Sequence, residues 1–190
     1  ESSAEETKAA AEIETVTSGK LTVATSPDFA PYEFYAIGED GTPKLAGFDM
    51  DLAQYIADYL GLELEVVTVD FDGVISELQT KSVDLGMAGL SPDEKRMGIM
   101  DFSDLYYMGG QSLVTVKDNA EKYNSFEAIN KPDVSVGAQV GSIQMDLANE
   151  NSPEADIVGL PKVTDIISEL LTGKMDAAYI ETDVAKSYQK

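Results

Sequence analysis

ISELQTKSVDLGMAGL (75–90) and ISELLTGKMDAAYIET (167–182) follow one plan. Each opens on an amphipathic helical pattern, breaks at a turn containing Lys or Gly, places an Asp, and runs into an apolar strand that stops at a Gly or polar residue. Helix followed by buried strand is half of a βαβ unit. Its recurrence predicts two α/β lobes of similar topology with largely parallel sheets. Ligands of open α/β sheets lie beyond the carboxyl ends of the strands, and two such ends facing each other would make a cleft.

The same alternation continues outward from both stretches. Upstream, KLTVAT (20–25) reads as a strand followed by the turn Ser26-Pro27-Asp28, and 34–37 reads as a second strand before the turn Gly38-Glu39-Asp40-Gly41. From Asp49 the period becomes helical, with Leu52, Ile56, Tyr59 and Leu60 on one face and Gly61 as the stop. A strand over 62–69 and a helix over 73–81 lead to the strand 84–88, and a turn-rich stretch, 91–98, follows. Beyond it, strands are expected at 113–116, 134–138, 156–158 and 176–180, with helices near 125–129, 142–149, 164–171 and from 181.

The 190 residues are 43% hydrophobic and 25% charged, a globular balance, and no apolar run approaches the roughly 18 residues that span a bilayer. Net charge is −22, from 35 acidic and 13 basic residues, so a duplex or an anionic membrane surface would repel the chain. Cys and His are both absent. That removes disulfides, thiolate nucleophiles, the usual zinc ligand sets and His-based acid–base chemistry, and no cofactor is called for. The polar opening, ESSAEETK (1–8), has no apolar periodicity, and residues 1–19 read as a flexible tether.

KLTVATSPDFAPYEF (20–34), GFDMDLA (47–53), DLGMAGLSPDEKRMGIMDFSDLYY (84–107), VGAQVGSIQ (136–144) and MDAAYIET (175–182) together resemble the amino-acid family of periplasmic solute-binding proteins, the receptors of ABC importers. They occur in the family's order and spacing. The resemblance implies a periplasmic binding protein-like α/β fold, two lobes joined by a hinge, with lobe 1 at 20–109 and lobe 2 at 110–190. It also implies a free α-amino acid as ligand, an ABC transporter permease as partner, and a periplasmic or lipid-anchored location. Family members continue with a further crossover strand and a closing helical segment, so the resemblance implies a truncated lobe 2, a lobe 1 without its closing part, and an open sheet edge that favours a homo-oligomer or swapped dimer.

A free amino acid needs a planar fork of donors for its carboxylate, which Arg supplies and Lys does not. Arg96 is the chain's one arginine, and the resemblance makes it the carboxylate clamp. Ser91 and the backbone at Ala88 and Gly89 match the strand end that caps carboxylate and ammonium, with Gly89 allowing close backbone approach. Ser142 and Ile143 would aim N–H groups of a helix start at the carboxylate, Ser142 also being a plain N-cap candidate. Glu181 matches the acidic residue that receives the α-amino group; its alternative is a helix-opening carboxylate. Phe29 and Phe71 match the aromatics that sandwich the ligand side chain, with Tyr32 a further candidate. Ser26 and Gln139 occupy discriminating positions, with Asp28 and Gln144 beside them, and suggest a polar or cationic ligand.

Two rivals share this fold class: a catalytic relative such as a dehydratase, and the ligand-sensing domain of a receptor. The Asp49-x-Asp51 pair reads as a helix-opening cap and not as a catalytic dyad, because residues two apart on a helix point to different faces. A binding role without catalysis is the expectation.

Overall fold

β1 (Lys20–Thr25) is the apolar run the sequence suggests, and five of its six residues are buried. It is the middle strand of a parallel sheet of order β5-β1-β6, with β5 (Glu63–Thr68) and β6 (Leu85–Gly86) on either side. The computed structural model describes residues 13–189. Successive β1 side chains alternate between the sheet's two faces. Leu21 and Val23 pack with Ala53, Ala57 and Met87, whereas Ala24 packs with Phe71, Val74, Val83 and Ala88. The first group lies under α1 (Phe48–Leu60) and the second under α2 (Phe71–Gln79).

The chain forms two units that divide between Ser103 and Asp104, where the sequence reading put the change after Gly109. Most of the expected tether, as far as position 12, lies outside the described residues. From 13 onward the chain contacts unit 1: Val16 N–H donates to Asp84 Oδ1 at 2.8 Å, and Glu63 N–H donates to the Gly19 carbonyl at 3.0 Å.

Unit 1 also carries a small antiparallel sheet of β2 (Asp28–Phe29), β3 (Glu33–Ile37) and β4 (Pro43–Ala46). The sequence reading found only β3. β2 has two residues and β4 opens on Pro43, so neither carries a period-2 signal. A short helix, α3 (Glu94–Met97), closes the unit. It replaces the turn expected across 91–98, and Asp93 is its N-cap, accepting from Arg96 N–H at 2.8 Å.

Two details of α1 correct the sequence reading. Its buried line is Met50, Ala53 and Ala57, while Tyr59 is 66% exposed. Small residues face the sheet because a helix can then approach it closely, and the tyrosine is left on the rim. Gly47, not an aspartate, is the N-cap residue; Asp51 is exposed, and Asp49 is fully buried with a partner far away in sequence.

Unit 2 is a sheet of order β7-β10-β8-β9, formed by β7 (Gln111–Val114), β8 (Ser135–Gln139), β9 (Asp156–Leu160) and β10 (Ala177–Glu181). β7 runs antiparallel to β10 and the remaining pairs are parallel. α4 (Phe126–Ile129), α5 (Ile143–Asn151), α6 (Val163–Leu171) and α7 (Thr182–Ser187) complete it. Its core joins Tyr123, Ile129, Val136, Ala138, Ala148, Ala177 and Tyr179.

The echo between 75–90 and 167–182 is physical. Thr80 and Thr172 each turn a hydroxyl back onto their helix, to Ser76 O and Ser168 O at 3.0 and 2.8 Å. The chain then passes through a left-handed residue, Lys81 (φ 56°) or Gly173 (φ 72°). Asp84 and Asp176 follow, and each carboxylate accepts a backbone N–H from the neighbouring parallel strand: Thr22 N to Asp84 Oδ2 at 2.8 Å, Ser135 N to Asp176 Oδ2 at 2.9 Å. One sequence device thus fixes the register of two sheets.

Candidate functional site

In unit 1 the candidate residues gather at the carboxyl ends of β1 and β6. Arg96 is only 5% exposed, which overturns the ordinary expectation that a charged turn is solvated. Its Nη1 donates to the Ser91 carbonyl at 2.8 Å, and its Nε lies 3.3 Å from Asp93 Oδ2. The guanidinium carbon stands 5.7 Å from the centroid of the Phe71 ring. A buried guanidinium needs compensating partners; here a carboxylate, a carbonyl and an aromatic face fix its plane. Asp93 was missed in the sequence reading, though its position three before Arg96 fits a helix-capping aspartate.

Gly89 sits in the left-handed region at φ 60°, and a Cβ there would lie 2.9 Å from Phe29 Cε1. Its N–H donates to Asp49 Oδ2 at 3.0 Å, so the buried aspartate of GFDMDLA holds the strand-end loop, not the helix start. Phe29 stacks on Tyr32 with centroids 5.7 Å apart, and both rings are buried. Ala88 packs with Phe71 in the core beneath. Ser26 is buried, and its hydroxyl and that of Thr25 have no hydrogen-bond partner among the described residues. Replacing Gly89 with Ala is expected to cost roughly 1–2 kcal/mol of unit 1 stability through the left-handed φ alone, read from the urea midpoint, because the ring of Phe29 blocks relaxation.

In unit 2 the candidates share the carboxyl edge of β8 and β10. Gln139 ends β8; its Nε2 donates to the Pro161 carbonyl at 3.1 Å. Ser142 is the N-cap of α5: its Oγ donates to Gln139 O at 2.6 Å and accepts from Met145 N at 3.3 Å. Ile143 begins the helix. Gln144 Nε2 donates to Gln111 Oε1 at 2.6 Å, and Gln111 lies opposite Glu181 across the β7–β10 pair, which draws α5 toward the end of β10.

Glu181 is 7% exposed, and its Oε2 accepts from Val184 N–H at 2.9 Å, capping α7. The helix-opening alternative therefore describes the geometry. A Cβ on Gly109 would fall 2.5 Å from Glu181 Oε1, so glycine there makes room for the carboxylate. Around this cap, Thr182 N–H donates to Gly110 O at 2.8 Å, and the Tyr107 hydroxyl donates to Asp183. Gln111 and Gly109 are site neighbours the sequence reading passed over. Neither stands in a motif, and only the fold brings them to Glu181.

Residues 21–134 match the family described as bacterial extracellular solute-binding proteins, family 3. The chain belongs to that family. It is 36% identical over 173 residues to the arginine-binding extracellular protein ArtP of Bacillus subtilis (strain 168), covering 90% of this chain and 64% of that protein. It is also 30% identical over 159 residues to the cyclohexadienyl dehydratase of Pseudomonas aeruginosa, covering 84% of this chain and 58% of that enzyme. Among solved structures it resembles an amino acid ABC transporter substrate-binding protein of Streptococcus pneumoniae Canada MDR_19A bound to L-arginine, at TM-score 0.85 and 39% identity, over 90% of this chain and 70% of that one. The ancestral amino acid-binding protein AncCDT-1, a precursor of cyclohexadienyl dehydratase, matches at TM-score 0.83 and 38% identity, over 90% of this chain and 73% of that one. The chain spans 58–64% of the length of those two curated relatives.

Proposed function

We propose that this chain captures a free polar or cationic α-amino acid outside the cytoplasm and delivers it to the permease of an ABC importer, without chemical turnover. The observation that carries the reading is Arg96. A guanidinium 5% exposed, braced by Asp93 and the Ser91 carbonyl beside Phe71, is a pre-set donor fork for a carboxylate. Unit 1 supplies this fork, the aromatic faces of Phe29 and Phe71, and the hydroxyl of Ser26. Unit 2, taken by itself, offers a second polar set: the N–H groups at Ser142 and Ile143, Gln139, and the Glu181 carboxylate, which suits an ammonium. A net charge of −22 favours approach of a cationic ligand over an anionic one, and relatives whose names carry arginine and histidine support the same class. A lipid anchor at the outer face of the membrane belongs to this reading.

Calorimetric titration with each of the twenty amino acids is the test. Saturable heat is expected with L-arginine or another polar or basic amino acid. Absence of binding by all twenty, or conversion of a cyclohexadienyl acid by the purified chain, would reject the reading.

A further inference from the structure

Glu33 and Asp49 are both fully buried carboxyl groups on neighbouring segments of unit 1: Asp49 N–H donates to the carbonyl of Tyr32 at 2.9 Å, immediately before Glu33. Neither oxygen of Glu33 has a donor among the described residues. An ionised carboxylate only accepts hydrogen bonds, so two buried ones side by side would leave Glu33 unsatisfied and repelled. A protonated Glu33 removes both penalties, because its O–H can donate to Asp49. Burial, then the Asp49 charge, then a hydrogen bond with Asp49, then the Asp28 charge push the Glu33 carboxyl well above its usual range. Asp28 comes from β2 and Asp49 from α1; Lys44 on β4 and Asp51 on α1 are exposed.

Asp49 connects this pair to the candidate site, since its Oδ2 accepts the Gly89 N–H at 3.0 Å. Gly89 lies two residues before Ser91, whose carbonyl holds Arg96 Nη1. We propose that Glu33 keeps its proton and donates it to Asp49, and that the pair is a positioning device which fixes the loop 88–91 and thereby makes amino-acid affinity depend on pH. When Glu33 loses the proton, two anions adjoin in a fully buried site, Asp49 is displaced, and Gly89 loses its acceptor. The loop and the guanidinium it braces then lose their set geometry. Neither residue touches ligand in this scheme.

The proposal rests on the amino-acid-binding reading, and two separable measurements test it. The first is the amide resonance of Gly89 followed by NMR from pH 5 to pH 8.5. It should titrate in the parent and stay fixed in Glu33→Gln, whose amide donates to Asp49 at every pH. The second is calorimetry with L-arginine over the same range. The parent should lose about tenfold in affinity as pH rises, Glu33→Gln should keep the acid-pH affinity throughout, and Asp49→Ala should bind about tenfold more weakly at every pH. Thermal unfolding gives the sign independently. A carboxyl whose folded value is raised contributes stability that is fully present below its ordinary value of 4.5 and is lost as pH rises through the folded value. Glu33→Gln should therefore flatten that loss. A Gly89 resonance that does not move, or a parent pH profile retained by Glu33→Gln, overturns the proposal. A moving resonance with pH-independent arginine affinity overturns the positioning role. If no amino acid binds at any pH, the functional reading fails and the link to affinity with it, while the proton on Glu33 is judged on the Gly89 resonance alone.

Discussion

Arg96→Ala should weaken binding of L-arginine by roughly 1.5 to 3.5 decades, the cost of about 2–5 kcal/mol typical of removing one partner from a buried charge pair. The ligand's carboxylate would be left without its donor fork in a place where water cannot replace it. Arg96→Lys should rescue little, because a single ammonium cannot span Asp93, the Ser91 carbonyl and a carboxylate in one plane as a guanidinium does. The fold should survive both changes better than the function does. Arg96 sits on a four-residue helix, and of the clusters under α1 and α2 it meets the second through the Phe71 ring. Calorimetry beside a thermal melt separates the two effects. Unchanged affinity in Arg96→Ala would remove the carboxylate clamp from the account.

Glu181 presents the second large effect, and one in which structural and ligand roles can be divided. Its Oε2 caps α7 through Val184 N–H, a bond that a glutamine oxygen also accepts. Glu181→Gln should therefore leave the melting temperature near that of the parent. It removes the negative charge proposed to receive the ligand's ammonium, and affinity should fall by about 2–5 kcal/mol. Glu181→Ala should lose the same affinity and about 1 kcal/mol of stability with the cap. If Glu181→Gln binds L-arginine as the parent does, the residue is a helix cap alone and the ammonium is held elsewhere.

The parts of this fold that sequence reveals are those whose physics is local. The echo of 75–90 in 167–182 could be read directly because helix period, left-handed turn, aspartate and strand are consecutive, and Asp84 and Asp176 indeed play one role in two sheets. The buried run of β1 and the stop at Gly61 were legible for the same reason. Long-range partners were not. Asp49 looks like a cap beside its own helix, and only the fold reveals that its acceptor oxygen serves Gly89, forty residues on. Glu33 gives no signal in a two-residue neighbourhood of aromatics, yet it is among the most buried side chains in the chain. The depth of Arg96 was invisible in a run of four charged residues, and the resemblance, not the pattern, singled it out. Within unit 1, Arg96 contacts Ser91 and Phe71 and Gly89 lies against Phe29, and within unit 2 the β7–β10 pair and the α5 cap connect Gln139, Ser142 and Glu181.

The claim on which all of this turns is that a buried guanidinium is set to grip the carboxylate of a free amino acid. Titrating the chain with L-arginine and with decarboxylated arginine, identical in side chain and amine, isolates that group. The account predicts saturable binding of L-arginine and affinity for the decarboxylated compound lower by about two decades or more. Equal affinity for both compounds would contradict it.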